Sequence, residues 1–113
     1  MNHKILLVCV LGAFAGQTSA MGVSGNAAAG KQKAVTVCAA CHGADGNKTL
    51  DDSYPKLAGQ YPDYMLKALK EYKSGKRSNA IMAGQVQALS DADMANLVLY
   101  YASLKSQIGT LPQ

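Results

Sequence analysis

The sequence is poor in the residues that carry most protein chemistry. Its 113 residues include two histidines, three cysteines, one phenylalanine and no tryptophan. A zinc site needs four ligands, and His42 is the only histidine beyond residue 3. Once the first residues are removed, a site with two histidine ligands is excluded within one chain, and a zinc centre would need a ligand beyond His42 and the cysteines. Charge is scarce too: 16% of residues are Asp, Glu, Lys or Arg, and 49% are hydrophobic. Such a chain is not disordered throughout. A net charge of +4 permits weak attraction to acidic partners and does not call for nucleic acid. No alternating apolar run is long enough for a strand, and no internal repeat is visible. No apolar run after the first 20 residues approaches membrane-spanning length. At this length the chain makes one small domain.

The first 20 residues have the three parts of an export signal. Met-Asn-His-Lys gives a basic start, Ile5 to Ala15 is uncharged and apolar, and Gly-Gln-Thr-Ser-Ala closes with small residues. Residues 1–20 are therefore expected to be a signal peptide, cleaved after Ala20, which would take His3 and Cys9 with it. The product would be periplasmic and without stable membrane insertion. Residues 21–26 read as a flexible lead-in, 27–107 as the folded domain and 108–113 as a tail.

Three helices are expected. Residues 27–40 are Ala-rich, with one glycine and no proline. A second helix opens at Tyr61-Pro62, with proline in its first turn, and stops at Gly75. Met65, Leu66, Leu69 and Tyr72 share one face of it, with Lys67, Lys70 and Glu71 opposite. A third runs from an N-cap at Ser90 to about Lys105, with Asp91 and Asp93 in its first turn. Met94, Leu97, Val98, Tyr101 and Leu104 form its apolar stripe. Residues 43–60 and 75–89 read as irregular. Two loops of about 15 residues are unusual in a compact domain unless something organises them. Three short helices also make a poor core, so a bulky apolar prosthetic group at the centre is implied.

Cys38-Ala39-Ala40-Cys41-His42 names that group. Cys-x-x-Cys-His is the attachment motif of c-type haem. On a helix the three side chains project from one face. Two thiols one turn apart can form thioethers with the haem vinyl groups, and the histidine reaches the iron. A structural disulfide would be strained within a helix, and a thioredoxin-like pair needs a βαβ context that is missing. The second iron ligand must come from elsewhere. Beyond residue 20 the methionines are Met21, Met65, Met82 and Met94. Met65 and Met94 lie on apolar helix faces, where methionine is usually core filler. A lysine ligand or an open position is the alternative to a methionine.

Together these residues resemble class I c-type cytochromes, of the small bacterial cytochrome c553-like kind and like one half of a dihaem cytochrome c4. The resemblance rests on residues 37–47 (Val-Cys-Ala-Ala-Cys-His-Gly-Ala-Asp-Gly-Asn), 54–60 (Tyr-Pro-Lys-Leu-Ala-Gly-Gln), Arg77-Ser-Asn79, Met82 and 89–93 (Leu-Ser-Asp-Ala-Asp). It implies an all-α cytochrome c fold wrapped around one haem c bound through Cys38 and Cys41. It makes Met82, 40 residues after His42, the second axial ligand, and Pro55 the residue whose carbonyl accepts from His42. Gln60, Tyr64, Arg77 and Asn79 are expected among the residues that bond the propionates or the methionine loop. Gly30 and the Tyr100-Tyr101 pair match the family's contact between first and last helices, although its aromatic partner on the first helix is absent here.

The implied function is a monomeric single-electron carrier rather than an enzyme. Its redox partners would be a quinol-cytochrome c reductase, a terminal oxidase or a periplasmic dehydrogenase or reductase. Lys67, Lys70, Lys73, Lys76 and Arg77 could form a basic docking patch or simply a solvated face. The rival readings are an electron-entry subunit of a larger oxidoreductase, and a haem-based ligand binder if Met82 is not on the iron.

Overall fold

A computed structural model describes residues 16–108 of the chain. Most of the leader, including His3 and Cys9, and the end of the tail lie outside these residues. The described part is mainly helical, as expected, but it holds five helices and a small hairpin rather than three helices alone.

The chain enters through strands β1 (Thr18–Ala20) and β2 (Val23–Gly25), paired antiparallel with Ser19 opposite Ser24. Met21 and Gly22 turn the hairpin, both with positive φ (50° and 75°), as a tight two-residue connection requires. The expected cleavage point, after Ala20, falls at this turn. The lead-in is thus partly structured, for Val23 is buried in the core and β2 packs against the last helix. Strands of three residues are too short to show alternation in the sequence.

Helix α1 (Ala27–Val37) is capped by Asn26, whose side chain accepts from the Ala29 N–H at 2.9 Å. The expected helix over 27–40 is broken at Cys38. That residue ends α1 and begins the four-residue α2 (Ala39–His42). Helix α3 (Pro62–Ser74) has proline in its first turn and Gly75 in the left-handed conformation at its end. Residues 75–89 are not irregular throughout. They contain α4 (Ala80–Val86), capped by the Asn79 side chain, which accepts from the Met82 N–H at 2.9 Å. At seven residues, with a glycine inside, α4 is too short for a periodic signature. Helix α5 (Asp91–Ser103) starts in a reciprocal box. Ser90 Oγ accepts from the Asp93 N–H, and the Asp93 carboxylate accepts from the Ser90 N–H, both at 3.0 Å.

The core lies where α1, α3 and β2 meet α5. Ala34, Met65, Val86, Leu89, Met94, Leu97, Val98, Leu99 and Tyr101 fill it with Val23. Gly30 and Asn96 set the α1–α5 crossing. A Cβ at Gly30 would lie 1.9 Å from the Asn96 carbonyl oxygen, so only glycine permits this approach. The Asn96 side chain accepts from the Asn26 N–H at 2.7 Å, tying the entry of α1 to the middle of α5. The expected contact between first and last helices is therefore present without an aromatic side chain on α1.

Candidate haem-attachment site

Packing α1 against α5 fixes where α1 ends, and the motif begins there. The Cys38 N–H closes the last turn of α1 on the Ala34 carbonyl at 2.9 Å, and the His42 N–H returns to the Cys38 carbonyl at 3.0 Å. Cys38, Cys41 and His42 are thereby held within little more than one helical turn. Among the described residues neither cysteine is in a disulfide. Burial pushes the Cys38 thiol up to about 11, with the Tyr101 hydroxyl partly offsetting the rise. A thiol so protonated at neutral pH is a poor nucleophile for disulfide exchange. Among the described residues the fold also lacks the βαβ context that a thioredoxin-like pair needs.

His42 is buried, at 6% exposure. Its Nδ1 lies 2.8 Å from the Pro55 carbonyl oxygen. A carbonyl only accepts, so Nδ1 carries the proton and donates. In that tautomer Nε2 is the nitrogen with the lone pair a metal requires. Tyr54 meets the ring edge-on, with centroids 6.3 Å apart.

The loop over 43–60 is built to place Pro55. Gly43 and Gly46 both have positive φ, and a Cβ at Gly43 would sit 2.3 Å from the Lys48 carbonyl oxygen. Asp45 accepts from the N–H groups of Asn47 and Lys48, each at 2.8 Å, and these bonds hold its carboxyl below the usual range. The Gly46 carbonyl accepts from the Leu57 and Ala58 N–H groups at 2.8 and 3.1 Å, folding the loop back on itself. The buried Asn47 side chain donates to the Lys105 carbonyl and accepts from the Gln107 N–H, both at 3.0 Å. It therefore pins this loop to the chain beyond α5.

The structure gathers Cys38, Cys41, His42 and Pro55 into one site. Tyr64 and Arg77 form a separate pair, with Arg77 Nη1 donating to Tyr64 Oη at 3.4 Å and the guanidinium 5.2 Å from the Tyr72 ring centroid. Asn79 and Met82 form a third group through the α4 cap, with Met82 half-buried against the core. Gln60 accepts from the Tyr61 N–H. Among the described residues no side-chain hydrogen bond joins the second and third groups to the first. Two of the lysines considered for a docking patch have partners. Lys67 pairs with Glu71 at 3.6 Å, and Lys73 Nζ donates to the Leu89 carbonyl. The residues that sequence reasoning passed over are Asn96 and the Asn47 side chain, whose roles depend on contacts about 60–70 positions away. An asparagine in a helix or loop carries no signal for such contacts.

These residues suit a c-type haem. Two free cysteines on one turn, a histidine with Nε2 bare, and a rigid carbonyl behind it are the donor set that the group needs. Comparison with known proteins agrees. The family model described as cytochrome c matches residues 27–105. Cytochrome c4 of Pseudomonas aeruginosa is 47% identical over 94 residues, covering 83% of this chain and 46% of that protein. Cytochrome c-554(548) of Halomonas halodenitrificans is 43% identical over 83 residues, covering 71% of this chain and 98% of that one. The crystal structure of reduced recombinant cytochrome c4 from Pseudomonas stutzeri superposes with a TM-score of 0.68 at 38% identity, covering 75% of this chain and 48% of that one. The chain thus spans about half the length of the cytochromes c4 it matches. Motif, fold and kinship agree that this chain belongs to the cytochrome c family.

Proposed function

We propose that the protein is a periplasmic single-electron carrier with one haem c. The observation that carries this reading is the His42–Pro55 hydrogen bond, which leaves Nε2 as the nitrogen available to an iron, on the same turn as two cysteines. Cys38 and Cys41 would hold the haem covalently, with His42 as one axial ligand and Met82 as the other. When bound, the haem iron supplies a one-electron Fe(III)/Fe(II) couple. The chain's part is to hold that couple still. Pro55 keeps the His42 ring in one tautomer and one orientation. Asn79 fixes the first turn of α4 and with it the backbone of Met82. The core residues supply an apolar surround. With His42 and Met82 both on the iron no substrate would reach it, which would suit electron transfer and not catalysis.

The leader-like residues 1–20 and the kinship with cytochromes c4 support a periplasmic location. No helix among the described residues is long and apolar enough to cross a membrane. The partners we propose are redox proteins: a quinol-cytochrome c reductase on one side, and a terminal oxidase or a periplasmic dehydrogenase or reductase on the other. Tyr64 and Arg77, held together at the surface, are proposed to face the haem propionates.

Absorption spectra of the oxidised, reduced and CO-treated reduced protein test the reading. Sharp reduced haem bands, a weak far-red sulfur-to-ferric-iron band and no response to CO are expected. Bands that shift on CO would keep the attachment site but remove Met82 from the iron, turning the reading toward a ligand binder.

A further inference from the structure

Tyr101 stands in the tightest part of the molecule. The residue is 3% exposed. Its ring lies 5.2 Å from that of Tyr100, and a Cβ at Gly46 would come within 3.1 Å of its Cδ1. Its carbonyl accepts from the Gly59 N–H at 2.9 Å, so its backbone anchors the 43–60 loop. The hydroxyl is the anomaly. It is buried and completes no hydrogen bond among the described residues. Tyr100, next in the chain, satisfies its own hydroxyl by donating to the Ala44 carbonyl at 3.3 Å. Buried polar groups in folded proteins nearly always have a partner, so an orphan asks for one.

Cys38 packs against the same core cluster that holds Tyr101. The two groups act on each other: the Tyr101 hydroxyl favours the Cys38 thiolate, and Cys38 adds to the burial that pushes the Tyr101 hydroxyl up. That hydroxyl therefore stays protonated and remains a donor. A free Cys38 thiol can donate or accept. Once its sulfur carries a haem carbon it is a thioether, with lone pairs and no hydrogen, and it can only accept. Attachment thus turns an ambiguous contact into one with a single polarity.

We propose that Tyr101 donates a hydrogen bond to the Cys38 thioether sulfur, fixing that sulfur's position and drawing electron density from the haem edge so that the reduction potential is raised. The proposal rests on the reading of Cys38 as a haem-bearing residue. Tyr101 would be a positioning residue, acting on the haem through Cys38. A hydrogen-bond donor close to a redox centre favours the electron-richer state, so its removal favours the oxidised one.

The test compares the haem-loaded protein with Tyr101→Phe. Intact mass first establishes that both carry covalent haem; its absence from the parent protein would overturn the haem reading and this proposal together. With haem in place, a lower midpoint potential in Tyr101→Phe is expected. In the reduced parent protein, proton NMR is expected to show a slowly exchanging hydroxyl proton with a cross-peak to the Cys38 β-protons. An unchanged or higher potential in Tyr101→Phe overturns the proposal, because filling space alone leaves the potential where it is. Should Tyr101→Phe fail to accumulate, the NMR measurement on the parent decides by itself, and absence of that cross-peak overturns the proposal.

Discussion

Where α1 crosses α5 the polypeptide packs on itself. Gly30 lies directly against the Asn96 backbone, Asn96 caps the contact by holding Asn26, and Ala34, Leu97 and Val98 are almost fully buried there. The side built from α3, α4 and the preceding loop is different. Leu50, Tyr61, Tyr64 and Ile81 are large apolar or aromatic residues, and each is at least half exposed. Helix α4 makes its main contacts with α3 alone. The first region needs only its own side chains. The second presents apolar surface that the described residues leave uncovered, in a family whose members enclose a haem. The scaffold is thus expected to answer to packing mutations, and the other side to mutations that affect the haem.

The largest effect should come from removing the attachment itself. Replacing both cysteines, Cys38→Ala with Cys41→Ala, is expected to abolish covalent haem altogether, read by intact mass and by haem staining after denaturing electrophoresis. If the comparison is right, hydrogen exchange should then rise far more in α4 than in α1 and α5.

Gly30→Ala attacks the scaffold instead. The new methyl group would overlap the Asn96 carbonyl, and the helices must separate. A loss of about 3 kcal/mol or more is expected from overpacking, measured as a lower denaturant midpoint, with the haem absorption of the folded protein unchanged. A midpoint equal to that of the parent would show that the crossing is looser than described.

Two helix caps sharpen the contrast. Asn79→Ala and Ser90→Ala should each cost about 1 kcal/mol. Only Asn79→Ala should also weaken the far-red sulfur-to-iron band, because Asn79 holds the Met82 backbone while Ser90 holds the scaffold helix. Equal effects of the two on that band would erase the distinction.

Acid should give the smallest effect, and one confined to the loop. Asp45 is held below the usual carboxylate range by two N–H groups. Its contribution is complete above the ordinary value of 3.8 and is lost as pH falls through the lower folded value. In Asp45→Asn that part of the acid dependence should be missing from the unfolding midpoint measured between pH 5 and about pH 2.

Much of this was readable from the residues. Cys38, Cys41 and His42 reveal the cofactor because their spacing is itself the chemistry. The ends of α3 and α5 could be placed because Pro62, Gly75 and Ser90 act locally. The kinship implied the Pro55 carbonyl, and the geometry supplied it at 2.8 Å. Other features depend on distant partners. The break at Cys38 depends on how α1 meets the motif's own turn, and nothing in an Ala-rich run marks it. Helix α4 is short enough that its cap, Asn79, is its clearest local sign. The strands are visible only once Val23 is seen buried beneath α5. The hydroxyl of Tyr101 sits on an apolar stripe, where a tyrosine reads as core; only its position beside Cys38 sets it apart.

The central claim is that the haem iron is held between His42 and Met82. Proton NMR of the reduced protein tests it most directly, since a methionine methyl group on the iron lies over the haem face and its resonance is shifted far upfield. The account predicts one such methyl resonance, present in the parent and in Met65→Leu and absent in Met82→Leu. A spectrum without it, or one in which it survives Met82→Leu, would contradict the account.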